Sequence, residues 1–134
     1  MPLLRMEHYL VLSDDIDKTR DFYRDALGLR EGFRPKLEFP GYWLYVGDTP
    51  CIHIAEWQTY AKWTAEVGIP ISTKAQSTGA VDHIAFNATG FDEMRARLEN
   101  RGVDVSENLL DDIGLRQLFF HDPNGVPIEL NFRS

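Results

Sequence analysis

The sequence predicts an α+β fold made of two βαβββ modules, and three observations carry that expectation. The text is doubled: His8 in Glu7-His8-Tyr9-Leu10 returns 75 positions later as His83 in Asp82-His83-Ile84-Ala85. Ile16-Asp17-Lys18-Thr19-Arg20 lies over Phe91-Asp92-Glu93-Met94-Arg95 at the same shift. Late in each half a second polar residue interrupts an apolar run, His53 in Cys51-Ile52-His53-Ile54 and Glu129 in Pro127-Ile128-Glu129-Leu130.

The first module covers residues 5–56. An apolar strand over residues 5–12 runs into Ser13-Asp14-Asp15, a polar turn with side chains suited to capping a helix N-terminus. A helix over residues 15–26 follows, because Ile16, Thr19, Phe22, Tyr23 and Leu27 recur near helical spacing and Gly28 supplies a stop. Three strands come next, over residues 30–39, 42–46 and 51–56, separated by Pro40-Gly41 and Gly47-Asp48-Thr49-Pro50. Residues 57–79 form a linker, with a short helix over 59–67 and an extended connector after it. The second module, residues 80–134, repeats the order: a strand over 80–87, a helix over 91–100 stopped by Gly102, and strands over 103–109, 115–120 and 126–132. Asp122-Pro123-Asn124-Gly125 joins the last two strands as a strong turn signal.

At 134 residues and 43% hydrophobic, the chain can bury the core of one globular domain, residues 1–134, but not of two independent ones. A net charge of −7 with no Lys/Arg cluster repels phosphate backbones and anionic lipid surfaces, so neither nucleic acid nor a membrane is an expected partner. The single cysteine, Cys51, excludes an internal disulfide framework and suits a reducing compartment. No run approaches the ~18 apolar residues of a membrane span, and Met1-Pro2-Leu3-Leu4-Arg5 lacks a signal-peptide core. A cytoplasmic protein is expected.

Strand parity turns the repeat into chemistry. Side chains alternate faces with period two, so His8, Leu10 and Leu12 share a face, as do Cys51, His53 and Ala55, then His83, Ala85 and Asn87, then Pro127, Glu129 and Asn131. With each sheet curved and its helix outside, His8, His53, His83 and Glu129 can point into one concave surface. Two histidines and a carboxylate, His8, His83 and Glu129, form a ligand class that suits iron, manganese, nickel, cobalt or zinc and leaves coordination positions open. The competing reading is a set of buried structural polar groups, although a buried carboxylate is otherwise hard to satisfy. His53 has three readings: a fourth ligand, a neutral acid–base group beside the metal, or an unligated core histidine. Trp57, Phe119, Asn87 and Asn131 are the expected substrate-pocket residues. Tyr42, Trp43, Tyr45 and Phe86 read mainly as core, Cys51 as a small buried hydrophobe, Glu56 as a solvated edge carboxylate and His121 as a surface or hairpin-capping residue.

Four segments together resemble the vicinal oxygen chelate superfamily: Glu7-His8, Arg20-Asp21-Phe22-Tyr23-Arg24-Asp25-Ala26-Leu27-Gly28-Leu29, Val81-Asp82-His83-Ile84-Ala85-Phe86, and Phe119-Phe120-His121-Asp122-Pro123-Asn124-Gly125-Val126-Pro127-Ile128-Glu129-Leu130. That superfamily includes glyoxalase I, extradiol dioxygenases, methylmalonyl-CoA epimerase and the fosfomycin and bleomycin resistance proteins. The resemblance covers nearly the whole chain. It implies mixed curved sheets around a metal-centred cleft, with one divalent ion (Fe, Mn, Ni, Co or Zn) held by His8, His53, His83 and Glu129 from the first and last strands of each module. It also implies a homodimer acting on a small-molecule substrate, with ligands drawn from both chains.

The implied function is glyoxalase-like lyase or isomerase chemistry, in which the vicinal oxygens of a small substrate are chelated and an enediolate-like intermediate is stabilised. Glyoxalase I usually has a glutamate where this chain has His53 and a glutathione-holding arginine where it has Leu12, so the glutathione hemithioacetal is not the expected substrate. Extradiol cleavage of a catechol is the alternative. The tail from Asp122 to Glu129 resembles the signature of those enzymes and His53 falls where they place an acid–base histidine, yet Phe119 replaces their tyrosine and no upstream histidine follows Asn87. Methylmalonyl-CoA epimerase commonly has glutamine at the position of His53, and the fosfomycin transferases rely on basic residues beyond the last ligand, where only Arg133 remains. A non-catalytic drug-binding module of the bleomycin-resistance kind is the third reading; such pockets lack the metal ligands present here.

Overall fold

A computed structural model describes residues 2–133; Met1 and Ser134, the ends of the expected 1–134 domain, lie outside the described residues. The chain divides into two compact units, Met1–Thr73 and Lys74–Ser134.

In the first unit, β1 (Tyr9–Ser13), α1 (Ile16–Asp21, continuing as a π-helical turn over Phe22–Ala26), β2 (Arg30–Gly32), β3 (Gly41–Val46), β4 (Thr49–Glu56) and α2 (Trp57–Val67) follow in order. The sheet order is β1-β4-β3-β2, with β1 parallel to β4 and the other pairs antiparallel. α1 starts where the capping residue dictates: Asp15 Oδ1 accepts from the Lys18 backbone N–H at 3.0 Å. A buried bond between the Ser13 and Thr19 hydroxyls, 2.9 Å long, ties strand to helix. The wide π turn lets Phe22, Tyr23 and Ala26 all enter the core, and Gly28, at φ +85°, ends it in the left-handed conformation. Val11, Ser13, Leu44, Ile52 and Ile54 are buried on one face of the sheet; Leu10, Leu12, Trp43, Tyr45, Cys51 and His53 occupy the other and stay half-buried or exposed. This is the alternation that parity predicts.

The second unit repeats the plan with β5 (Ile84–Ala88), α3 (Phe91–Asn100), β6 (Ser106–Leu110), a 3-10 turn (Asp111–Ile113), β7 (Leu115–His121) and β8 (Pro127–Arg133) in the order β5-β8-β7-β6, β5 being parallel to β8. Phe91, Met94 and Leu98 of α3 are buried together with Ile84, Leu118, Phe120, Ile128, Leu130 and Phe132, and the Phe91 and Phe132 rings meet edge to face at 5.2 Å. The β7–β8 turn is closed by Asp122, whose Oδ1 accepts from the backbone N–H groups of Asn124 at 2.7 Å and Val126 at 2.9 Å. Each unit is therefore a four-stranded mixed sheet with helices, the α+β arrangement expected.

Several boundaries differ from expectation, among them the strand expected over residues 103–109, which runs Ser106–Leu110. The first strands begin at Tyr9 and Ile84 rather than near residues 5 and 80, because the ladders to β4 and β8 start at Tyr9↔Ile52 and Ile84↔Ile128. His8 and His83 thus immediately precede their strands. The strand expected over residues 30–39 is only three residues long. Pro35 and Pro40 donate nothing to a ladder, and the carbonyls of Phe33 and Phe39 are taken by the Tyr45 hydroxyl and the Arg34 guanidinium.

Candidate metal-ligand pairs

In the first unit, His53 sits mid-strand on β4, in register with Leu10 of β1 and Trp43 of β3. Its ring lies between two others. The His8 imidazole stacks on it at a centroid distance of 3.7 Å and 13°, and the Trp43 indole stacks at 4.0 Å and 9°. His8 Nδ1 is 2.8 Å from Glu7 Oε1. An ionised carboxylate only accepts, so this bond puts the ring proton on Nδ1 and leaves Nε2 with a lone pair to offer a metal. Burial, aided by the neighbouring His8 and Arg34, pulls the His53 imidazole down to about 4, so it is neutral at pH 7.

In the second unit the same grammar recurs. His83 Nδ1 is 2.8 Å from Asp82 Oδ2, and its Nε2 lies 3.4 Å from Glu129 Oε1. The bond to Asp82 is the chief cause of a raised His83 pKa, with the charge of Glu129 adding to it. The other oxygen of Glu129 ends a line of carboxamides. Asn131 Nδ2 donates to Glu129 Oε2 at 2.8 Å, Gln117 Nε2 to Asn131 Oδ1 at 2.9 Å, and Asn108 Nδ2 to Gln117 Oε1 at 2.9 Å. Strand register aligns these residues, with Asn108 opposite Gln117, Gln117 opposite Asn131, and Asn87 opposite Asn131 on the far side. The carboxylate sets the polarity of the row. Because Glu129 can only accept, Asn131 must turn its amino group toward it and its oxygen toward Gln117, and the same choice propagates to Asn108. Gln117 is buried, so this bonding satisfies an amide that would otherwise be costly there.

Ligand atoms of a zinc-like ion lie about 2.0–2.2 Å from it, so two ligands of one ion are at most about 4 Å apart. The His83 Nε2–Glu129 Oε1 contact, at 3.4 Å, meets that limit, and imidazole nitrogen with carboxylate oxygen is a donor set for borderline divalent metals. The His8 and His53 rings, by contrast, are neighbours stacked nearly parallel, so their in-plane lone pairs do not converge as they stand. The structure brings the predicted ligands together two by two. Among the described residues, no group of three or more His, Cys, Asp or Glu side chains is gathered closely enough to hold an ion.

Of the expected pocket residues, Phe119 pairs in register with Glu129 and is half-buried, Asn131 belongs to the carboxamide row, and Asn87 is exposed and accepts from Arg133 Nη1 at 3.4 Å. Trp57 is the first residue of α2 and half-buried. Glu56 Oε1 accepts from the Thr59 hydroxyl at 3.0 Å, an edge role, and His121 is exposed at the end of β7. Cys51 is half-buried, and burial pushes its thiol up, away from reactivity. Sequence reasoning passed over Glu7 and Asp82, although their matching places before the two histidines signal them. It also missed Gln117, Asn108, Arg34 and the stacking role of Trp43, which emerge only once cross-strand register is known.

The family model for the Glyoxalase/Bleomycin resistance protein/Dioxygenase superfamily matches residues 5–130. The chain belongs to that superfamily. It is 33% identical over 131 residues to glyoxylase I 4 of Arabidopsis thaliana, covering 96% of this chain and 70% of that protein. Among solved structures it shares its fold with a lactoylglutathione lyase from Agrobacterium tumefaciens, at a TM-score of 0.73 and 21% identity, covering 98% of this chain and 95% of the other. It shares it too with TnmS3, an antibiotic-binding protein from Streptomyces sp. CB03234, at a TM-score of 0.66 and 21% identity, covering 100% and 99%. A lyase and an antibiotic-binding protein thus both share this fold, and among the described residues no helix is long and apolar enough to cross a membrane.

Proposed function

We propose that the protein is a divalent-metal-dependent enzyme of this superfamily, a glyoxalase-like lyase or isomerase for a small molecule with two neighbouring oxygens, and that His8, His53, His83 and Glu129 are its metal ligands. The observation that carries this reading is the repeated preparation of a ligand histidine: Glu7 on His8 Nδ1 and Asp82 on His83 Nδ1, both at 2.8 Å. A carboxylate behind an imidazole fixes its tautomer and raises its basicity as a ligand. Coincidence does not readily produce that arrangement twice at matching positions. Likeness to the Arabidopsis glyoxylase and the fold of a lactoylglutathione lyase support the lyase or isomerase branch.

A divalent ion held by these residues supplies Lewis-acid stabilisation for charge developing on two adjacent substrate oxygens. The chain's own groups do the rest. Asn131, backed by Gln117 and Asn108, holds Glu129 Oε2 and leaves Oε1 to face His83 Nε2. His53, neutral at pH 7, can take a proton from substrate if a ring nitrogen is unligated, while Trp43 covers one face of its ring. A homodimer in which two copies complete each other's ligand sets belongs to the same proposal.

The fold shared with TnmS3 favours a second reading, a non-catalytic binding module. Cobalt(II)-loaded protein separates the possibilities. Addition of a 2-hydroxyaldehyde should perturb the cobalt absorption and yield the isomerised product without oxygen uptake. Oxygen uptake with a catechol would assign the protein to ring cleavage instead, and binding without any turnover would make it a binding module.

A further inference from the structure

The segment over residues 33–40 starts on the face of the first unit that carries Trp43 and His53, because the Tyr45 hydroxyl, on the same side of β3 as Trp43, donates to the Phe33 carbonyl at 2.5 Å. Arg34 in this segment is held by its own surroundings. Its Nη2 donates to the Phe39 carbonyl at 2.7 Å, its guanidinium carbon sits 5.4 Å from the centre of the Phe39 ring, and Nη2 is 3.0 Å from where a Cβ on Gly41 would stand. Gly41 lies two residues from Trp43 on the same side of β3. The guanidinium is thus held next to the Gly41 end of β3, near enough for its charge to bear on His53.

What Arg34 lacks is an anion. Acidic residues outnumber basic ones 21 to 14, yet among the described residues no carboxylate pairs with Arg34. Arg20, Arg24 and Arg95 each have at least two such partners. Nor is the side chain fully solvated: Arg34 is half-buried, and its Nε is buried without a hydrogen-bond partner, the one side-chain atom of that kind among the described residues. A guanidinium does not shed its proton, so a half-buried one without a counter-ion is a standing cost that a bound anion would remove.

We propose that Arg34 recognises a carboxylate on the substrate, so that the small molecule taken up on this face is a carboxylic acid in its ionised form. The planar fork of the guanidinium matches two carboxylate oxygens, and a single cation in a chain of net charge −7 suits a monoanion better than a phosphate dianion. The inference rests on the proposed function in taking this face as the substrate's.

Ligand-observed NMR titration with phenylacetate and its uncharged isostere phenylacetamide tests it, on the protein as purified and again after chelator treatment. Phenylacetate should bind at least tenfold more tightly than the amide in both preparations, and Arg34→Met should abolish the preference while leaving the melting temperature unchanged or higher, since the variant removes an uncompensated charge. If Arg34→Met does not fold, Arg34→Lys decides: a point charge without the fork should lower the preference severalfold. Equal binding of the two probes, no measurable binding of either, or a preference that survives substitution overturns the proposal. Because the chelated sample carries the same expectation, a protein that binds no metal yet keeps an Arg34-dependent carboxylate preference would sink the metal reading alone.

Discussion

His53 concentrates the chemistry of the first unit at a single side chain. Sandwiched between Trp43 and His8 and depressed to about 4, it is neutral in the folded chain where a free histidine near 6.5 begins to charge. The sign of the linkage follows. Above pH 6.5 both folded and unfolded chains carry the neutral ring and stability is full; between 6.5 and about 4 only the unfolded chain takes the proton, so stability falls progressively. His83 works the other way, its contribution complete below 6.5 and lost as pH rises through its raised folded value, so it stays constant across the acid window. Chelator-treated protein should lose stability in urea titrations between pH 6.5 and 4, and His53→Gln should flatten that loss; an identical pH profile in the variant would show that His53 is not held neutral. The same variant should keep some metal while turnover drops about a hundredfold or more if His53 is the base. The four candidate ligands were legible in the sequence because His53 and Glu129 are single polar residues inside apolar runs and His8 and His83 recur at matching places just before apolar strands. Arg34 was not, since nothing in the order Phe33-Arg34-Pro35 reveals that the chain folds back and leaves its guanidinium without a carboxylate.

At the scale of the strand, the row from Asn108 through Gln117 and Asn131 to Glu129 acts as one directional unit. Removing a member should loosen Glu129 as a ligand: Gln117→Leu or Asn131→Leu should weaken metal affinity by about 10- to 100-fold, measured by competition with a chromophoric chelator. Gln117→Glu should be worse than Gln117→Leu, because an ionised carboxylate at 117 would draw the Asn131 amino group to itself and turn the amide oxygen against Glu129. Equal effects from the two Gln117 variants would argue that the row only fills space. A second test lies in β3, where a Cβ on Gly41 would collide with the Ile54 carbonyl oxygen, a backbone atom that cannot step aside. Gly41→Ala should therefore cost about 1–3 kcal/mol in denaturant unfolding. Elements with strong local signals were read closely: α3 occupies residues 91–100 as expected, stopped at Gly102. The starts of β1 and β5 and the length of β2 were not, because they depend on where a partner strand begins and on carbonyls claimed by distant side chains.

For the whole molecule, the doubled text gives two units that each present one pair of candidate ligands, and two donors alone do not make a selective transition-metal site. The proposed function then requires that pairs combine. A homodimer at micromolar concentration by light scattering is the expected state; a monomer with its metal fully bound would remove shared ligands from the proposal. The most direct measurement is elemental analysis of untagged protein alongside His83→Ala and Glu129→Ala. About one divalent transition-metal ion per chain is expected in the parent protein, and its loss in both variants while their circular dichroism remains that of a folded chain. A parent protein that takes up no iron, manganese, nickel, cobalt or zinc on equilibration, or one whose metal content survives both substitutions, would contradict it.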